Sequence, residues 1–362
     1  MARLDQLLRQ LKEAGGSDLH LAAGLVPRMR RRGHMEAVAG EQVLDDGSLR
    51  AMLAELASEA QWQEYEATRD LDFAYAIPGV ARFRANYLVQ ENGAAAVFRI
   101  VPEKVQTVED LGLSPAIAAL AKLAKGLVLV TGPTGSGKST TLAAIIDRVN
   151  RDCAKHVVTI EDPIEFVHQN QGSVFSHREV GAHTGSFGAA LRATLRQDAD
   201  VVLVGEMRDR ETIGLAITAA EMGLLVFGTL HTNSAAKTID RIIDAFPAKE
   251  QDQVRLSLSE SLAGVVSQLL LPSADGKGRC AVHEILLRTP GLPNVIREGN
   301  TPMLVSIIQS GKGVGMQSMD DALFAAAREG RVTPEDAVAK ANDKARFQPL
   351  LGSKASEARS EP

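Results

Sequence analysis

The run Gly132-Pro133-Thr134-Gly135-Ser136-Gly137-Lys138-Ser139, followed by Thr140, has the spacing G-x-x-x-x-G-K-S. Residues of these types in this order bind phosphate. The glycines let successive backbone N–H groups curl round phosphate oxygens, and a helix opening at the lysine adds partial positive charge. The lysine reaches the β- and γ-phosphates, and the hydroxyl after it meets Mg2+. The pattern alone has false positives, so its setting decides. Here four apolar residues, 127–130, precede it as a buried strand, and residues 138–149 read as a helix after it. A merely structural glycine turn does not explain Lys-Ser at the helix start. Residues 132–140 are therefore the expected ATP-binding segment, with Lys138 as a catalytic cation and Ser139 as a ligand of Mg2+.

Hydrolysis of ATP needs a group that orients water and a carboxylate near the metal. The run Val201-Val202-Leu203-Val204-Gly205-Glu206 ends a buried strand with an acid. Glu206 is the expected water-orienting residue, at the carboxyl end of a strand beside the phosphate strand, where ligands of open α/β sheets bind. Gly205 stands where such motifs usually carry Asp, so another carboxylate must serve the metal. Glu161-Asp162-Pro163-Ile164-Glu165 closes a further strand and offers three. Glu161, nearest the strand end, is the expected Mg2+ ligand. Asp162 and Glu165 equally suit a helix cap or a surface turn.

The elements that must position these groups fall into two kinds. In residues 3–13, Leu4, Leu7, Leu8 and Leu11 recur at helical spacing. Short strands are expected at 18–21 and around 28–38, and helices over 48–67. From 70 to 100 apolar residues alternate, with turns at Pro78-Gly79 and Glu91-Asn92-Gly93. The first hundred residues thus read as an α+β domain with an antiparallel sheet, and 101–112 as a linker. Strands then alternate with helices, as in a mostly parallel sheet, with strands at 127–131, 156–160, 201–204 and 224–230. From about 290 the pattern is helical. Residues 346–362 read as a disordered tail, polar and small from 351 on, and no internal repeat is evident.

Composition narrows the class. The chain has 362 residues, 45% hydrophobic and 23% charged, which suits two or three globular domains. Aromatics are scarce at 4%, so a core of Leu, Val, Ile and Ala is expected. A net charge of −5 gives no general reason to bind nucleic acid. The cluster Arg28-Met29-Arg30-Arg31-Arg32 reads as a solvated turn or a contact for an acidic partner or anionic lipid. Cys153 and Cys280 are far apart and form no metal motif. No apolar run is long enough to span a membrane. A cytoplasmic protein without a transmembrane segment is expected.

Four segments together resemble the secretion and pilus ATPases: the phosphate loop, residues 159–166, residues 202–209, and Gly228-Thr229-Leu230-His231-Thr232-Asn233. The likeness sharpens toward the type IV pilus retraction ATPases of twitching motility in residues 126–144, in Leu203-Val204-Gly205-Glu206-Met207-Arg208-Asp209, in residues 15–21, and in Gly79-Val80-Ala81-Arg82-Phe83-Arg84. It runs from about residue 4 to 345. The resemblance implies a PAS-like N-terminal domain (1–100), a RecA-like ATPase domain (113–290) and a C-terminal helical part (291–345). It implies a homohexamer acting on an inner-membrane pilus platform protein, peripheral to the inner membrane at the pilus base, with an accessory retraction ATPase as a further partner. Arg82, Arg84 and Arg99 match the family's arginine-bearing segment, where an arginine stabilises phosphoryl charge. His231 matches a family histidine and is thereby expected near the γ-phosphate.

Two departures stand out. Leu224 replaces a family histidine in Met222-Gly223-Leu224-Leu225. The retraction motif Ala-Ile-Arg-Asn-Leu-Ile-Arg-Glu here reads Gly291-Leu292-Pro293-Asn294-Val295-Ile296-Arg297-Glu298. These keep two alternatives in view: an accessory retraction ATPase, and a regulatory nucleotide-binding ring with weak hydrolysis. Extension and type II secretion ATPases usually add an N-terminal domain and Cys-x-x-Cys pairs, neither of which is seen in this sequence. A nucleic-acid translocase is disfavoured by the acidic charge and the lack of a basic, aromatic-rich tract.

Overall fold

In the computed structural model, residues 3–31, 33–101 and 104–351 are described. The chain divides into two compact units. The first runs to Lys104 and takes in Pro163–Val167; the second comprises Val105–Asp162 and the chain from His168 on.

The first unit contains α1 (Arg3–Glu13), β1 (Asp18–Ala22), β2 (Arg28–Arg31), β3 (His34–Ala37), α2 (Asp46–Ala54), α3 (Glu59–Thr68), β4 (Asp70–Ile77), β5 (Ala81–Gln90) and β6 (Gly93–Val101). Its strands form one antiparallel sheet in the order β3-β2-β1-β6-β5-β4. The single strand expected around 28–38 is a hairpin, turned where Gly33 takes a positive φ of 85°. Arg32 of the basic cluster lies outside the described residues. Alternation sends Phe83, Ala85 and Tyr87 of β5 into a core with Leu4, Leu8 and Leu11 of α1 and Leu49 and Leu53 of α2. The few aromatics concentrate here. Tyr87 sits edge-on to Phe73, Tyr65 and Phe98 at centroid distances of 5.1, 5.8 and 5.9 Å. The core of this unit is nonetheless mainly Leu, Val, Ile and Ala, as expected.

The second unit contains α4 (Pro115–Ala119), β7 (Gly126–Thr131), α5 (Lys138–Asp152), β8 (His156–Glu161), β9 (Val174–Glu179), α6 (Phe187–Thr194), β10 (Val201–Val204), α7 (Arg210–Glu221), β11 (Leu225–Leu230), α8 (Ala235–Asp244), α9 (Ala248–Ser261), β12 (Leu262–Pro272), β13 (Arg279–Leu287), α10 (Leu292–Arg297), α11 (Leu304–Ser310), α12 (Met319–Arg328) and α13 (Pro334–Lys340). The sheet order is β13-β12-β7-β11-β10-β8-β9, parallel except for the edge strand β13. The strands are apolar on both faces because both faces are covered. Leu127 and Leu129 of β7 face a core with Ile213 and Ile217 of α7 and Ile239 of α8. Val128 and Val130 face one with Leu142, Ile145 and Ile146 of α5.

Three expectations are corrected. The Glu206 strand, β10, is not beside the phosphate strand; β11 lies between them. Linear order does not encode strand order: β11, which follows β10 along the chain, is the strand inserted between β7 and β10. The linker is shorter than residues 101–112, because Val108 is buried with Ala118 and Ala144 of the second unit. Positions 102 and 103 lie outside the described residues. The expected tail from 346 is wrong at its start, since Phe347 is fully buried, with Phe324 at 5.6 Å, and the turn Lys344–Phe347 is helical. Residues 352–362 lie outside the described residues.

Candidate nucleotide-binding site

The parallel register brings four strand ends to one edge of the sheet. Thr131 of β7 pairs with Leu230 of β11, Gly228 of β11 with Val204 of β10, and Val204 with Ile160 of β8. The residues that follow or end these strands are Gly132, His231, Gly205-Glu206 and Glu161. With strands about 4.8 Å apart, β10 lies roughly 10 Å from β7 across the sheet, and β8 roughly 14 Å.

The loop leaves β7 at Gly132, whose φ is 150°, and returns through Gly135 and Gly137 at 77° and 85°. L side chains rarely adopt such backbones. A Cβ at Gly132 would also fall 2.3 Å from the carbonyl oxygen of Gln268. Gly137 is the left-handed cap of α5 and carries no capping side chain, so the first N–H groups of this 15-residue helix lie at the loop. Lys138 is buried, and its Nζ donates to the carbonyls of Gly132 and Pro133 at 2.9 and 3.1 Å. A cationic group is thus held within a ring of glycine-shaped backbone. That cradle and its charge fit a phosphate chain.

Glu161 ends β8 and is buried. Gly205 lies against it: a Cβ at 205 would meet Cα and Cγ of Glu161 at 3.3 Å. The missing Asp and the neighbouring Glu are therefore linked, because a side chain at 205 would press on Glu161. No helix begins after β8, so the capping alternative for Asp162 and Glu165 is not what the chain uses. Asp162 stays with the second unit, whereas Glu165 belongs to the first.

Glu206 accepts from Arg208 Nη2 at 2.7 Å through one oxygen and from His231 Nε2 at 2.9 Å through the other. The Arg208 hydrogen bond draws the Glu206 carboxyl below its ordinary value, against the opposing effect of partial burial, and His231 adds to the shift. His231 is thus brought to Glu206 itself. The hydroxyl of Thr229 steadies the same turn by donating to the Gly205 carbonyl at 2.5 Å.

Leu224 precedes β11 at its amino end, where its carbonyl accepts from Gly126 at 3.0 Å. That is the edge opposite the loop, about 20 Å along a six-residue strand. Losing a histidine there removes nothing from the strand ends just described. In residues 291–298, Leu292 and Ile296 of α10 are buried, while Asn294 donates to Glu298 at 2.7 Å on the exposed side.

Arg82, Arg84 and Arg99 lie on the sheet face of the first unit opposite its core. Arg84 and Arg99 are directly paired across β5 and β6. Arg84 makes a two-pronged contact with Asp72, at 2.6 and 3.2 Å, and Arg99 donates to the buried Asp18 at 2.7 Å.

Reasoning from motifs missed Gln268 and His283. β12 is parallel to β7, and Ser267 pairs with Thr131, so the next residue, Gln268, adjoins the loop. Its Nε2 donates to the Ser136 carbonyl at 2.6 Å. Its Oε1 accepts from Thr141 at 2.7 Å and from His283 Nε2 at 3.0 Å. The buried polar pair Ser267-Gln268 within the otherwise apolar stretch 262–272 was the available signal.

A mostly parallel sheet with a phosphate loop and acids at its carboxyl edge defines a P-loop ATPase. Residues 3–337 match the family model described as type II/IV secretion system protein, and the chain belongs to that family. It is 48% identical over 338 residues to the type IV pilus retraction ATPase PilT of Pseudomonas aeruginosa, covering 93% of this chain and 98% of that protein. It is 40% identical over 338 residues to the type IV pilus ATPase PilU of the same organism, covering 93% and 88%. A crystal structure of the pilus retraction motor PilT with bound ADP superposes with a TM-score of 0.87 at 41% identity, over 94% of this chain and 97% of that one. The fold is that of an N-terminal domain followed by an ATPase domain, and the chain is an ATPase. Among the described residues no helix is long and apolar enough to cross a membrane.

Proposed function

We propose that this chain is the ATPase motor of type IV pilus retraction. It hydrolyses ATP as a homohexamer and drives pilin disassembly by acting on the inner-membrane pilus platform protein from the cytoplasmic side. The observation that carries the reading is the alignment of the phosphate loop, Glu161 and Glu206 along one sheet edge, in a chain similar over nearly its full length to a retraction ATPase.

The roles follow from chemistry. The loop 132–140 holds the phosphates of ATP through backbone N–H groups, and Lys138 offsets their charge. Ser139 and Glu161 would hold Mg2+, which neutralises phosphate charge when bound. Glu206 orients water. An ionised carboxylate has about four lone-pair sites, so with Arg208 and His231 engaged two remain for a water molecule. Its lowered pKa makes it a poor proton acceptor, which favours orientation over abstraction. His231 then acts by fixing Glu206. Arg82, Arg84 and Arg99 stand as candidates for stabilising phosphoryl charge in the assembled ring. Arg84 and Arg99 would first have to release Asp72 and Asp18.

Steady-state turnover by the purified protein tests this. Lys138→Ala is expected to abolish it. Glu206→Gln is expected to lower kcat by at least about 100-fold while nucleotide still binds. Normal turnover in either variant removes the corresponding assignment.

The accessory retraction reading is favoured by one feature, the altered stretch 291–298. It predicts pilus retraction that needs a second ATPase, and retraction with this ATPase alone would exclude it.

A further inference from the structure

We propose that Gln268 is a positioning residue of the phosphate loop: its side-chain amide holds the Ser136 carbonyl outward and so aims the Gly137 N–H into the loop, while His283 fixes which way round the amide sits. The inference rests on reading residues 132–140 as the nucleotide cradle.

The argument begins with the peptide plane. In a trans peptide the carbonyl and the following N–H point in opposite directions. The Ser136 carbonyl donates nothing and must find a donor, because residue 136 is only 2% exposed. Gln268 Nε2 supplies it at 2.6 Å. With that carbonyl fastened toward β12, the N–H of Gly137 faces the other way, toward the concave side of the loop. Phosphate loops bind through such inward N–H groups.

The second step concerns the amide itself. Gln268 is buried, so a flipped amide would set its oxygen against the Ser136 carbonyl. Two donors prevent this. Thr141, in the first turn of α5, donates to Oε1 at 2.7 Å, and His283 Nε2 does so at 3.0 Å. His283 lies directly opposite Gln268 across the β12–β13 pair. Its backbone is fastened on the far side, where Gln317 donates to its carbonyl at 2.8 Å and exchanges both backbone hydrogen bonds with Ile285. Burial holds the imidazole pKa down at about 4, so near neutral pH the ring is uncharged, and since an amide oxygen can only accept, the tautomer that bonds Oε1 carries its proton on Nε2.

The third step is steric. The Gln268 backbone oxygen lies 2.3 Å from where a Cβ of Gly132 would be, and its Nε2 lies 2.9 Å from that of Gly137. One residue therefore backs both ends of the loop. An apolar side chain of equal length would fill the space and leave the Ser136 carbonyl without a donor.

The test uses the full-length protein and mant-ADP, whose binding needs no turnover, with kcat, KM for ATP and the unfolding temperature of nucleotide-free protein alongside. Gln268→Met keeps length and removes the amide. Gln268→Glu keeps shape and turns an acceptor toward the Ser136 carbonyl. Affinity is expected to fall about tenfold in the first and further in the second, with KM rising in proportion. His283→Leu is expected to weaken binding about fivefold and to add little to Gln268→Met, whereas His283→Gln, which keeps an N–H donor, restores most of it. Binding by Gln268→Met within twofold of wild type overturns the proposal. So does a loss that merely follows the unfolded fraction. If Gln268→Met does not fold, unchanged affinity in His283→Leu overturns it instead. Lys138→Ala separates the two claims: if it binds mant-ADP normally, the loop is not the site, whatever Gln268 does.

Discussion

Glu206 carries two donors, and their removal has a predictable sign. Arg208 draws the carboxyl down first, with His231 assisting. A depressed pKa keeps the group ionised to lower pH. Arg208→Ala is therefore expected to move the acid limb of the kcat/KM profile to higher pH, and an unmoved limb would show that Glu206 ionisation does not govern turnover. At this scale the sequence was informative where a motif fixes both type and place. Lys138 opens α5 after the loop, and Glu161 and Glu206 lie at strand ends, where their runs put them. Gln268 showed only as a polar residue in an apolar stretch, because its role comes from contact with Ser136, 132 residues away in the chain. His231 was legible as a strand-end histidine, but its bond to Glu206 depends on which strands adjoin.

Among the elements, the loop and the last helices make separate predictions. Gly132→Ala combines an unfavourable φ with a Cβ 2.3 Å from a backbone oxygen, neither of which can yield easily. It is expected to lose nucleotide binding in calorimetry while keeping its far-UV circular dichroism; normal binding would show that the loop tolerates a different shape. Asp321 of α12 shows the electrostatic side. Burial would raise its pKa, but hydrogen bonds from Lys312, Arg346 and Ser318 outweigh it and bring the carboxyl to about 2. With an unfolded value of about 3.9, the stabilisation is full above that pH and is lost as pH falls toward 2. Asp321→Asn is therefore expected to cost about 2 kcal/mol at pH 7 in urea unfolding, a difference that fades between about pH 4 and pH 2. A constant difference across that range would contradict the assignment. Most strands were legible from apolar runs and turn residues. Their order was not, and β12 and β13 were not picked out, since an 11-residue apolar run reads equally as helix.

At the scale of the whole molecule, the account requires a ring that couples hydrolysis to pilus disassembly. Native mass spectrometry is expected to give six copies, and a stable monomer under nucleotide-saturated conditions would contradict the ring. The helices after residue 290 contain the altered stretch 291–298, whose α10 buries Leu292 and Ile296 and leaves Asn294 and Glu298 on the exposed side. The central claim is tested most directly by pilus behaviour in a piliated host that lacks this gene and is complemented with wild-type or Lys138→Ala protein. The account predicts excess surface pili and no twitching in the deletion, full restoration by wild type and none by Lys138→Ala. Retraction at the normal rate in the deletion strain, or restored by Lys138→Ala, would contradict it.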